Sequence, residues 1–264
     1  MANILETICR KKHHELIRSK EVLPPRELYL EVDRLMEKNE TPRRSLAEAL
    51  KRSTTGIIAE FKRKSPSLGW IKADFGPNDV IPGYQQNGAS AISILTDGPY
   101  FGGRKDFISM VRSQISIPIL RKDFILDEYQ VFEAKNIGAD AILLIASCLS
   151  QEKCRQLAYR AQDLELEVLL EVHEECELEY INDGVTAVGV NNRDLKVFKT
   201  DIGTSCRLGP LIPNGFIRVS ESGLSNPDIV RQLRQYGFEG FLMGERFMKE
   251  NDPAKALGEF IRQL

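Results

Sequence analysis

The sequence predicts an α/β protein, a (β/α)8 barrel preceded by an N-terminal helical extension. Three observations carry this. Short apolar runs recur eight times in 264 residues, about 20 to 33 residues apart. Amphipathic stretches with capping residues fill the gaps. Two junctions nearly repeat each other, NGASAISIL at 87–95 and IGADAILLI at 137–145. Each has a Gly where a helix would close, then an unbroken apolar run, the mark of a strand covered on both faces. Strand–helix alternation gives a parallel sheet, and eight such units close a barrel. A doubly wound open sheet is the structural rival, but no G-x-G-x-x-G fingerprint supports it.

Residues 1–55 read as three helices, ILETICRKKHHELI, PRELYLEVDRLM and SLAEALKRS. No linker of disordered composition follows them. They are expected to cap one end of the barrel, within a single domain spanning 1–264 whose barrel occupies 56–264. The first strand is GIIAEF (56–61). The others are the runs ending at 95 and 145, with IPIL (117–120), EVLLEV (167–172), AVGV (187–190), GFIRV (215–219) and GFLM (240–243). Between 127 and 138, Asp127 can cap a helix whose face is Val131, Ala134 and Ile137. Ser150 caps the next, with a stripe of Cys154, Leu157, Ala158, Ala161 and Leu164. Asn226 caps a third, with Pro227 in its first turn and Ile229, Leu233 and Tyr236 on one face.

Composition narrows the function. Apolar residues make up 42% and charged residues 28%, as in ordinary globular domains. A net charge of −2 argues against a nucleic-acid or membrane footprint. The longest apolar run, Ala141–Ala146, is too short to span a bilayer. The N-terminus has no signal-peptide core, so a cytoplasmic location is expected. Cys9, Cys148, Cys154, Cys176 and Cys206 are scattered, with no C-x-x-C pair, and read as free thiols. The three histidines show no metal-ligand spacing.

The chemistry lies at the strand ends. Strand 1 carries Glu60, Lys62 and Lys64 at alternate positions, hence on one face. Strand 3 ends in Lys122 and Asp123, strand 5 in Glu171 and His173, strand 6 in Asn191, Asn192 and Arg193, and strand 7 in Ser220, Glu221 and Ser222. Any one of these alone fits a solvated strand end. Together they lie at the C-terminal face, where barrels hold their active sites. Three acids, Glu60, Glu171 and Glu221, balance Lys62, Lys122 and Arg193, as an inward charge cluster requires. Gly223 and Gly244 follow the last two strands, where barrels commonly build phosphate sites, and Ser65 could add a hydroxyl. Trp70, Phe101 and Phe124 could wall a flat ring or simply pack in the core. The residues therefore point to an enzyme that works on a phosphorylated small molecule by acid–base chemistry, with neither metal nor redox cofactor.

The motifs IIAEFKRKSPS, PILRKDFI, LLEVH, GVNNRDL, SESGL and FLMGERFM occur in this order at barrel spacing. In them the chain resembles the indole-3-glycerol-phosphate synthases of tryptophan biosynthesis, over about residues 45–264. The resemblance implies ring closure of 1-(2-carboxyphenylamino)-1-deoxyribulose 5-phosphate with loss of CO2 and water. It implies Lys122 as general acid and Glu171 as general base. Lys62 would hold the substrate carboxylate, and Glu60 would orient lysines and hydroxyls. Asn191, Arg193, Glu221 and Ser222 would hold substrate, Phe101 and Phe124 would wall the ring, and Ser65, Gly223 and Gly244 would cradle phosphate. Neighbouring cations are expected to lower the pKa of Lys122. Departures from the family pattern are Gly102 where Asn is frequent, Glu245 where Ser often follows the glycine, Leu68 where a polar residue is usual, and extra residues around 22–30. A single-function chain, monomeric or weakly dimeric, is expected. The rival readings are a Schiff-base aldolase and a barrel that only binds phosphorylated ligands.

Overall fold

The computed structural model describes residues 4–38, 43–194 and 199–264. Leu195 of the GVNNRDL motif and residues 1–3 lie outside the described residues. Among the described residues eight parallel strands close a barrel in chain order. They are β1 (Ile57–Phe61), β2 (Ala91–Leu95), β3 (Ile119–Lys122), β4 (Ala141–Ile145), β5 (Glu167–Val172), β6 (Ala187–Asn191), β7 (Ile217–Glu221) and β8 (Gly240–Met243).

Side chains alternate between two apolar layers. Ile57, Ala59 and Phe61 of β1 join the outer layer under the helices, as do Val168, Leu170 and Val172 of β5. Ile58, Leu120, Leu143, Leu169, Val219 and Leu242 fill the barrel itself. The inward register then continues to the polar rim. Ile58 is followed by Glu60, Leu120 by Lys122, Leu169 by Glu171 and Val219 by Glu221. The pairing sets Leu95 against Lys122, Ile145 against Glu171 and Asn191 against Glu221. The acid–base residues are thus the last inward layer of a packed cylinder.

Two strands begin later than their apolar runs suggest. β3 starts at Ile119 because Pro118 has no N–H to give the ladder. β7 starts at Ile217, after a turn in which Gly215 takes φ +103°. The three capped helices form, over Glu128–Asn136, Gln151–Asp163 and Pro227–Arg234, with Asp127, Ser150 and Asn226 as their caps. After β5 the expected helix is only a 3₁₀ segment, Glu175–Tyr180.

The N-terminal helices do not share one end of the barrel. α1 (Ile4–Val22) crosses the C-terminal rim, where Leu5 and Ile8 join the inner core. α2 (Pro25–Lys38) packs on the outside, where Tyr29 stacks on Phe132 with ring centroids 3.9 Å apart. α3 (Leu46–Arg52) closes the opposite rim. Its cap, Ser45, donates to Glu167 at the start of β5 (2.5 Å), and Leu46 and Leu50 plug the inner core from below.

Candidate active site

A cavity of about 490 Å³ opens at the C-terminal rim. It is lined by Glu60, Lys62, Lys122, Glu171, Asn191 and Glu221, with Phe101, Phe124, Arg193, Ser222, Gly223 and Gly244. Among the residues expected at the site, Ser65 does not line it. Ser65 is 2% exposed, and its hydroxyl accepts from the Leu68 amide (3.3 Å). Lys64 departs from the expectation that it shares a face with Glu60 and Lys62. β1 ends at Phe61, and Lys64–Ser65 then pairs antiparallel with Gly69–Trp70. That hairpin turns Lys64 away, so its ammonium donates to the Pro99 carbonyl (2.9 Å) and lies over Trp70.

Trp70 neither walls the cavity nor enters the core; it is 55% exposed. It explains Gly102, however. Gly102 has φ +65°, and a Cβ there would come within 2.7 Å of the Trp70 ring. Leu68 is exposed at the hairpin, and Glu245 lines the cavity.

At the centre, Lys122 Nζ donates to Glu171 Oε2 and Glu221 Oε2, each at 3.0 Å. Burial alone would lower the lysine's pKa, but Glu171, Glu221 and Glu60 outweigh it, so the pKa is raised. This corrects the expectation that neighbouring cations lower it: the near neighbours are carboxylates, and they stabilise the ammonium. Lys62 pairs with the buried Glu60 at 2.6 Å.

The two glutamates on Lys122 are not equivalent. Burial pushes both pKa values up. Lys122, His173 and a hydrogen bond from Asn191 pull Glu171 below its ordinary value. Glu221 gains from Lys122 but faces Glu171 and Glu60, and stays raised. Its Oε1 is buried without a hydrogen-bond partner. Gly189 makes room for it, since a Cβ there would lie 2.3 Å from Glu221 Oε1. His173 stands behind Glu171, with Nε2 3.4 Å from Glu171 Oε1.

Asn192 is structural. It is 2% exposed, and its amide donates to the Ser220 hydroxyl and to the Glu221 and Ser222 carbonyls, each at 3.0 Å. These bonds hold Ser222 at φ +67°, an uncommon value for a residue other than glycine. Gly223 continues the turn at φ +76°. Gly244 packs on Glu60, which a Cβ would meet at 2.7 Å. Three cations and two acids gather at this end: Arg193 (3.4 Å) and Lys249 (2.7 Å) pair with Glu245, and Arg246 pairs with Glu250 (2.6 Å), all of them lining the cavity.

Sequence reasoning missed the apolar roof. Ile4, Leu5 and Ile8 of α1 line the cavity, as do Leu95, Leu143 and Ile145. The signal in the chain was the i, i+1, i+4 spacing of Ile4, Leu5 and Ile8. It marks an apolar helix face but says nothing of what that face covers.

A closed (β/α)8 barrel with lysines and glutamates converging in a half-apolar cavity at its C-terminal rim is the frame of an enzyme that does acid–base chemistry on a small molecule. The family model for indole-3-glycerol phosphate synthase matches residues 5–260. The chain is 47% identical to the indole-3-glycerol phosphate synthase of Bacteroides thetaiotaomicron over the full length of both. It is 41% identical to that of Aliarcobacter butzleri, over 99% of each chain. The chain belongs to the indole-3-glycerol phosphate synthase family, carboxy-lyases of tryptophan biosynthesis that act on a phosphorylated small molecule. Solved structures share the fold. KGPDC from Streptococcus mutans superposes with a TM-score of 0.61 at 14% identity, covering 78% of this chain and 95% of that one. A tryptophan synthase alpha-subunit from Pyrococcus furiosus superposes with a TM-score of 0.59 at 16% identity, covering 80% of this chain and 97% of that one.

Proposed function

We propose that Lys122 and Glu171 are the acid and base with which this chain converts 1-(2-carboxyphenylamino)-1-deoxyribulose 5-phosphate to indole-3-glycerol phosphate. The observation that carries the assignment is the Glu171–Lys122–Glu221 bridge, buried at the rim and open to the cavity. The ring carbon that bears the carboxylate attacks the ketone carbon. As that bond forms, the carbonyl oxygen gains charge and takes a proton from the Lys122 ammonium. A developing alkoxide is basic enough to do so even from an ammonium held above its ordinary pKa.

The carbon–carboxylate bond then breaks, its electron pair restores the aromatic ring, and CO2 leaves. Lys122, re-protonated, gives a second proton to the same oxygen, which departs as water. Glu171 takes the proton from the carbon beside nitrogen, and the indole double bond forms. Two protons reach the oxygen and one is returned, so the reaction takes up one proton when the substrate enters as a carboxylate.

Lys62 holds that carboxylate until it leaves, and Glu60 aims Lys62. Glu221 and Asn191 hold the sugar hydroxyls with Ser222. Phe101 and Phe124, with ring centroids 6.1 Å apart, wall the aromatic ring. Backbone N–H groups at Gly223 and Gly244, with Arg193, take the phosphate. Ser65 stays outside this cradle.

A Schiff-base mechanism needs a neutral amine, and the carboxylates around Lys122 oppose that form. Lys122→Met tests the proposal by indole fluorescence: turnover falls by about 10²–10⁴-fold. Retained turnover in that variant would remove Lys122 from the mechanism. Borohydride with a sugar phosphate should trap no adduct on Lys62 or Lys122. We also place the enzyme in the cytoplasm as a single-domain monomer or weak homodimer. No helix among the described residues is long and apolar enough to cross a membrane, and unpaired thiols suit a reducing compartment.

A further inference from the structure

Lys12 is a buried charge with no part in the chemistry above. It lies mid-way along α1, is 5% exposed, and its ammonium reaches three carboxylates. These are Glu15 at 2.9 Å on its own helix, Asp97 at 3.0 Å after β2, and Asp123 at 2.9 Å after β3. Taking an ammonium out of water is costly, and three acids around one cation are what makes it tolerable. Both aspartates do further work at the rim. Asp97 Oδ1 accepts from the Tyr100 amide (2.9 Å), capping the turn that carries Phe101. Asp123 follows Lys122 directly, and its Oδ1 accepts from the Phe124 amide (2.9 Å). One ammonium therefore ties α1 to both ring-wall turns and to the residue beside Lys122.

On the same face of α1, one and two turns earlier, Ile8 and Leu5 enter the cavity, with Ile4 beside them. The far end of the helix has separate anchors. Lys20 pairs with Asp127 at 2.9 Å, and the Tyr129 hydroxyl donates to the Ser19 and Leu23 carbonyls. Loss of Lys12 would thus loosen the first turns of α1, which also place Lys11 over the Tyr100 ring, while the far end of the helix stays attached.

We propose that Lys12 is a positioning residue that latches the first turns of α1 across the rim, so that Ile4, Leu5 and Ile8 form the apolar wall against the substrate's aromatic ring. The inference rests on the cavity being the substrate site. Lys122→Met, run alongside, separates the two claims. If Lys122→Met still turns over, the reading of the site falls; if Lys12→Met binds substrate normally, only the latch falls.

The test compares Lys12→Met with Lys20→Met, which removes an ion pair from the same helix far from the cavity. Lys12→Met should raise KM by at least about tenfold with kcat within about threefold, the pattern of lost ground-state binding. Amide hydrogen exchange should quicken at residues 5–12 and not at the far end of α1. Lys20→Met should leave KM within about twofold. If KM is unchanged in Lys12→Met, or exchange at 5–12 is unaltered, the proposal is overturned. Should Lys12→Met not accumulate as folded protein, Ile8→Ala carries the test. It leaves the latch intact and tests the wall the latch holds: KM must rise with kcat held, and an unchanged KM removes the wall and with it the proposal.

Discussion

Glu171 and Glu221 sit at the same 3.0 Å from one ammonium but titrate apart, and the cause is the rest of their surroundings. Glu171 has His173 and Asn191 as further support. Glu221 has an unpartnered oxygen and two like charges for company, and burial with those charges pushes its pKa up to about 7. The sign of the linkage follows. A carboxyl with a raised folded-state pKa stabilises the fold below its ordinary pKa, and that stability is lost as pH rises through about 7. Glu221→Gln removes a charge the fold disfavours. Its melting temperature should exceed that of the parent at pH 8, by the equivalent of roughly 1–3 kcal/mol, and converge with it near pH 5. On the proposed role of Glu221 in holding substrate hydroxyls, the variant's kcat/KM should fall, because the amide offers one acceptor oxygen where the carboxylate offers two. A variant no more stable than the parent at pH 8 would show that Glu221 is not held against its charge. Gly244→Val places a side chain where Glu60 already stands, so KM should rise more than kcat falls, the opposite of Lys122→Met. The convergence of Lys122 and Glu171 on one rim was legible in the sequence because several strands place charge at the same end, although either residue alone fits a solvated strand end. The Lys122 pKa was not: it depends on which residue faces which across the barrel, and spacing along the chain does not contain that distance.

Elements divide the work between the two rims. α3 plugs the N-terminal rim with Leu46 and Leu50, which are 0% and 2% exposed. Leu50→Ala should cost about 2–4 kcal/mol in urea unfolding while kcat/KM of the folded enzyme stays unchanged. A loss of activity without a loss of stability would contradict that division. Nothing in the periodicity of α1 or α3 says which rim each one covers. That choice is tertiary. Glu167 at the start of β5 receives Ser45, and Asp97 and Asp123 at the ends of β2 and β3 receive Lys12. The strands were legible down to their inward register, because Ile58–Glu60 and Leu120–Lys122 keep a period of two. The hairpin at Lys64–Trp70 was not, since its strands are two residues each. There the alternation that began at Glu60 stops carrying meaning.

Across the whole molecule, one cylinder turns residues distant in sequence into a single cavity. The parallel register places Glu60, Lys122, Glu171 and Glu221, from alternate strands, in one layer above a sealed apolar core, with Asn191 bonded to Glu171 beside them. The cavity then has two ends, an apolar one under α1 and a charged one near Gly223, Gly244 and Arg193. On the proposed reading, that polarity orients the substrate: ring under the helix, phosphate at the last two strands, reacting carbons beneath Lys122. The most direct measurement is a crystal structure of Lys122→Met soaked with the carboxyphenylamino-deoxyribulose phosphate. It should show phosphate oxygens within hydrogen-bond reach of the Gly223 and Gly244 amides and the aromatic ring against Phe101, Phe124 and Ile8. Phosphate under α1, or the ring lying among Arg193 and Lys249, would contradict the account.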